Sequence, residues 1–156
     1  MDRIEEKLNE MGIELPACPV PVASYLPAAR FCGTLVYVSG QDCRKNGTLL
    51  HEGKLGTDVT MDEGVECSRQ CAVNCLAALK NCIGSLDKVK RVVKLLGFVA
   101  SAPGFGQQPY VMNGASDLLV ALFGENGRHA RAAIGVNELP FNTPVEVEMI
   151  FEVEPE

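Results

Sequence analysis

Hydrophobic and polar positions repeat with two different periods along this chain, and the switches between them mark its elements. The sharpest two-residue period lies near the C-terminus. Val145, Val147, Met149, Phe151 and Val153 share one parity, while Glu146, Glu148, Glu152 and Glu154 fall on the other. Successive side chains of a strand point to opposite faces, so residues 145–153 are predicted as a strand with one apolar face. "VKRVVKLLGFVAS" predicts a long strand, and its Lys/Val alternation at 88–94 reads as a solvent-facing side. "FCGTLVYVSGQ" holds a β-prone run at 35–38, and residues 131–136 predict another strand. Asn46-Gly47 is a turn signal, with a short strand or extended arm near Leu49-Leu50.

The helical period appears in three places. Ile4, Leu8 and Met11 make residues 2–11 a short amphipathic helix. "TMDEGVECSRQCAVNCLAALKNCIGS" predicts the clearest helix. Thr60 or Asp62 can cap it, Glu63 stands three after Thr60 as in a capping box, and Gly84 ends it. Residues 109–123 predict a further helix, with Val111, Ala115, Leu118, Leu119 and Leu122 on a broad apolar face. Three prolines from Pro16 to Pro21 make a linker or an edge segment. The order strand, strand, helix, strand, helix, strand, strand predicts one α+β domain with its helices over one sheet face. Residues 1–20 form an N-terminal segment with a short helix and Pro-rich linker, and residues 21–156 the domain.

Composition narrows the function classes. Fourteen basic and twenty acidic residues give a net charge of −6, and no Lys/Arg run supplies a nucleic-acid footprint. No stretch reaches the ~18 apolar residues of a membrane span. The acidic N-terminus has no apolar signal region, which points to the cytoplasm. Seven cysteines, an odd number, argue against a disulfide scaffold. Cys67, Cys71 and Cys75 are four apart and line one helical stripe, a packing pattern without the C-x-x-C spacing of a zinc site.

The segment "GRHARAAIGVNELP" carries the chemistry of most interest. Parity places Arg131 beside the small Ala133 and Gly135, opposite Ala130, Ala132, Ile134 and Val136. Glu146 lies opposite the valine face of the last strand. Together, Arg131 and Glu146 are read as a pocket on the open sheet face; a solvent-facing ion pair is the plainer alternative. Arginine clamps a carboxylate with two parallel bonds, and a buried glutamate can move a proton near neutrality. Ala133, Gly135, Ile150 and a valine of the 92–99 strand would leave that second face too apolar for solvent, so a partner subunit is expected to cover it.

Val38-Ser39-Gly40-Gln41, Asn113, Ala130-Arg131 with Leu139-Pro140, and Val145-Glu146-Val147-Glu148 occur in this order. With them the chain resembles the reactive-intermediate deaminase (RidA, or YjgF-like) family over residues 21–153, in a longer-chain branch. The resemblance implies a chorismate-mutase-like α+β fold with a single mixed sheet, two main helices on one face, and a homotrimer built around a barrel-like core. It also implies inter-subunit sites that hydrolyse a small enamine or imine such as 2-aminoacrylate to a 2-keto acid and ammonia. No cofactor or metal is implied. The family's substrate-binding arginine falls on Arg131 and its late-strand glutamate on Glu146, the two catalytic candidates. Its serine falls on Ser39, its helix asparagine on Asn113, and its early aromatic nearest Tyr25. The family's cysteine position, whose backbone carbonyl helps hold water, is Ala133 here. Arg128 and His129 are additions that can alter pocket charge or simply start the strand. Two other readings stay open: a non-catalytic module binding a small carboxylate, and an endoribonuclease, which the charge disfavours.

Overall fold

The computed structural model describes residues 2–156. Helix α1 (Arg3–Glu10) begins at Asp2, whose carboxylate accepts from Glu5 N while Glu5 reaches back. The second Asp2 oxygen accepts from Leu86 N at 2.7 Å, tying the helix start to the body. Ile4 and Leu8 are buried. Strands β1 (Ala28–Phe31) and β2 (Leu35–Gln41) follow, then the small strands β3 (Arg44–Lys45) and β4 (Thr48–Leu49) joined across Asn46-Gly47. Helix α2 (Met61–Ile83) has the predicted ends: Thr60 and Glu63 form the capping box and Gly84 closes it at positive φ. Strand β5 (Val89–Ala100), helix α3 (Gln108–Phe123), β6 (Ala130–Val136) and β7 (Val145–Val153) complete the chain.

The main sheet runs β1-β2-β7-β5-β6, with β5 and β6 parallel and its other neighbours antiparallel. The five odd-numbered residues of β7 from Val145 to Val153 are all buried. They face α2, where Cys71 and Cys75 donate weakly to the carbonyls of Val145 and Val147. The cysteine stripe is therefore core, as its spacing predicts. Helix α3 lies close over β5 and β6. A Cβ on Gly97 would strike the Met112 side chain, and one on Gly135 would come within 2.8 Å of Gln108 Nε2.

The two helices are interlocked. Ser68 Oγ of α2 donates to Val111 O at 2.7 Å and accepts from Ala115 N at 3.1 Å. Those two α3 groups would otherwise bond each other, so a hydroxyl from α2 completes the α3 ladder. Gly114 permits the approach, since a Cβ there would collide with Val65 O.

Two expectations fail. The sheet is not single: β3 and β4 form a separate two-stranded sheet, because a two-residue turn leaves arms too short to join the main one. Nor is there a barrel. The main sheet ends at β1 on one side and β6 on the other, and these edges do not pair. Both helices cover one face and leave the other open. That open face carries Tyr37, Leu96, Ile134 and Ile150, with Ile134 43% exposed. Ala133 and Gly135, expected there, instead face the helix side. No helix among the described residues is long and apolar enough to cross a membrane.

Candidate functional site

Arg131 projects from β6 toward α3, not onto the open face. Three helix positions at spacings of four and three meet it, as residues on one helical face do. Nη1 donates to Asn113 Oδ1 at 2.9 Å and to Ser116 Oγ at 3.1 Å; Nη2 donates to Pro109 O at 3.2 Å. Asn113 therefore joins Arg131 as a holding residue. Ala133, two residues further along β6, packs partly buried against the core. His129 closes the cluster, with Nε2 2.9 Å from Ser116 Oγ and Nδ1 2.7 Å from Gly127 O. Burial holds the His129 imidazole below its ordinary pKa, and the Arg131 charge adds to that; the Gly127 carbonyl works against both. Arg128 stays outside, paired with Glu125 at 3.1 Å in solvent.

Glu146 points to the opposite sheet face. It is half-buried, and its carboxyl lies above the ordinary range, first through burial and then through repulsion from Asp42 and Glu148. It fills the space left by Gly40 at the β2 irregularity, where any Cβ would strike the carboxylate. Beside it opens a cavity of about 930 Å³ whose walls include Glu146, Ser39, Tyr25, Asp42, Arg44 and Phe141. The volume lies within the range of small-molecule sites. Ser39 Oγ donates to Leu26 O at 2.6 Å, which fixes the hydroxyl. Arg44 Nε donates to Asp42 Oδ2 at 2.9 Å, and the guanidinium stacks 4.9 Å from the Phe141 ring centroid. Phe141 and Asn142 both hold positive φ, at 59° and 64°, a costly conformation for non-glycine residues. Asn74 of α2 bonds the carbonyls of Asp42 and Arg44, each at 2.9 Å.

The predicted residues thus fall into two groups within one chain. Ser39, Tyr25 and Glu146 share the cavity; Arg131, Asn113 and His129 share the β6–α3 cluster and are not among its walls. This chain matches, over residues 5–153, the family model described as "YjgF/chorismate mutase-like, putative endoribonuclease". It belongs to that family. Protein TCP17 of Trypanosoma cruzi is 43% identical over 153 residues, covering 97% of this chain and 94% of its own length. A crystal structure of a protein of unknown function from Agrobacterium tumefaciens is 44% identical, with a TM-score of 0.88 over 96% of this chain and 91% of that one. A "putative endoribonuclease" from Shewanella oneidensis is 33% identical, with a TM-score of 0.93 over 97% of this chain and all of that one. The family match thus extends over residues 5–153, nearly the whole chain.

Sequence reasoning did not single out Ser116, Arg44, Asp42 or Asn74. Ser116 had a usable signal, standing three residues after Asn113 on the same helical face. Arg44 had a weaker one, lying between Ser39-Gly40-Gln41 and the Asn46-Gly47 turn.

Proposed function

We propose that this chain hydrolyses a small carboxylate-bearing enamine or imine, 2-aminoacrylate being the simplest, in a homotrimer whose sites lie between subunits. The observation that carries the reading is the division of Arg131 and Glu146 between opposite sheet faces. Neither group is complete alone: one offers a cation without a cavity, the other a cavity with a proton-transferring carboxyl. A neighbouring copy that lays its β6 edge near the Glu146 cavity would unite them and cover the apolar open face. Membership of the YjgF-like family supports the same chemistry.

In this mechanism Arg131 holds the substrate carboxylate. The enamine enters as its imine tautomer, with a C=N carbon beside that carboxylate. Glu146 accepts a proton from water as the water oxygen bonds to this carbon, and passes it to the nitrogen. The C–N bond of the resulting tetrahedral adduct then breaks. Glu146 takes the hydroxyl proton of the adduct and gives it to the departing nitrogen, so that ammonia leaves, the former water oxygen becomes the keto oxygen, and the carboxylate is restored. A carboxyl raised toward neutrality suits both proton movements. Ser39 and the Ala133 carbonyl serve as hydrogen-bonding groups around substrate and water. Tyr25 walls the cavity, and Asn113 orders Arg131. The reactive substrate needs mainly positioning.

Pyruvate and ammonia release from 2-aminoacrylate generated in situ tests the reading. The wild-type protein is expected to accelerate release, and a folded Arg131→Ala variant to lose about 100-fold or more in kcat/KM. Full activity in that variant removes the arginine from the mechanism. Saturable pyruvate binding with no turnover of any imine favours the non-catalytic binding module instead.

A further inference from the structure

His129 and Ser116 lie outside the chemistry above, yet they form an ordered chain of hydrogen bonds leading to Arg131. A carbonyl oxygen can only accept, so the 2.7 Å contact with Gly127 O places a hydrogen on His129 Nδ1. The neutral ring then has a lone pair on Nε2. Ser116, 2.9 Å away, must donate its single hydroxyl hydrogen there. With that hydrogen committed, Ser116 Oγ has only lone pairs left to offer, and Arg131 Nη1 donates to it at 3.1 Å. With the ring neutral, the direction of every bond in the chain follows from the first.

The guanidinium inventory completes the picture. Arginine has five N–H hydrogens. Asn113 and Ser116 take the two on Nη1, and Pro109 O takes one on Nη2. Nε–H and the second Nη2 hydrogen meet no acceptor among the described residues. These two hydrogens can form a fork, the arrangement a carboxylate meets with two parallel bonds.

We propose that His129 and Ser116 are positioning residues that lock the rotation of the Arg131 guanidinium, leaving its Nε–H/Nη2–H fork for a monocarboxylate ligand. His129 acts only through Ser116 and touches no ligand. The inference rests on Arg131 as the carboxylate clamp, and it specifies which edge of that residue is used and what sets it. A neutral His129 is part of the device. A protonated ring would donate from Nε2, turn the Ser116 hydrogen away, and set a second positive charge beside the guanidinium. Burial and the neighbouring Arg131 both oppose that protonation.

Two measurements on the full-length protein test it separately. In 15N-resolved NMR spectra without ligand, Arg131 is expected to show slowed guanidinium rotation and His129 the Nδ1–H tautomer. His129→Ala and Ser116→Ala are expected to release the rotation, and His129→Gln, which retains a donor and an acceptor, to restore it. Unchanged Arg131 rotation in both alanine variants overturns the proposal. In calorimetric titrations with pyruvate, Ser116→Ala and His129→Ala are expected to weaken binding about tenfold, with His129→Gln within threefold of wild type. Alanine variants that bind pyruvate as tightly as wild type also overturn it. Unaltered pyruvate binding by Arg131→Ala would instead sink the carboxylate-clamp reading, and with it the ligand half of this proposal. The rotation measurement would still decide the positioning half.

Discussion

The Arg131 cluster and the Glu146 cavity solve opposite problems. Arg131 is a permanent cation held by three protein acceptors on a helix-covered face, with its geometry set in advance. Glu146 is a carboxyl raised by burial and by its acidic neighbours, so that it can exchange a proton. In the proposed reaction one region contributes position and the other reactivity. Building them on two sides of one sheet leaves Glu146, within one chain, to burial and its acidic neighbours Asp42 and Glu148.

The sharpest way to break this comparison is to divide the two defects between copies. Arg131→Ala and Glu146→Gln are each expected to abolish imine hydrolysis. Unfolded together and refolded as a one-to-one mixture, they should recover about a quarter of wild-type activity, the share of randomly assembled interfaces with both native groups. No recovery in correctly assembled mixtures would place both groups in the same chain's site.

A smaller loss is expected from Gly40→Ala. The new methyl group must displace the Glu146 carboxylate while leaving the backbone intact. Because a shift of about 1 Å costs on the order of 100-fold in rate, kcat/KM should fall by that order with the oligomer retained. An unaltered kcat/KM would show that the carboxylate position is not critical.

The smallest effect concerns stability. A folded-state pKa above the unfolded value makes the protonated glutamate the stabilising form. Its contribution is complete below the ordinary value of 4.5 and is lost as pH rises through the raised one. Glu146→Gln should therefore melt above wild type at neutral pH, with the gap closing toward about pH 4. Solvent screening keeps the gap to about 1–2 °C in Tm. A gap that widens on acidification would mean that burial does not dominate at this residue.

Local signals in the sequence carried most of the fold. The Thr60–Glu63 box, Gly84 and the alternation of 145–153 each need only a few neighbouring residues to be read, and each stands where predicted. Strand β1 was not legible. Its four residues, Ala-Ala-Arg-Phe, carry no distinctive period and become a strand by pairing with β2. The site was half legible. Parity correctly grouped Arg131 with Ala133 and Gly135, but it cannot say which face a helix will cover. In the sequence the small side chains there read as room for a ligand; in the fold Gly135 leaves room for Gln108 of α3. Arg44 and Asp42 were hidden for a related reason, since they come to share the Glu146 cavity only through the pairing of β2, with its irregularity, on β7.

The hydroxyl that Ser68 lends to α3 binds the fates of distant positions. Alanine at 68 would remove the hydroxyl between Val111 O and Ala115 N and leave that turn of α3 to close on itself, and any larger residue at 114 would meet Val65 O and push the helices apart. Asn113, which holds Arg131, sits between those two backbone groups. A change at Ser68 on α2 would therefore act on the turn of α3 that carries Asn113.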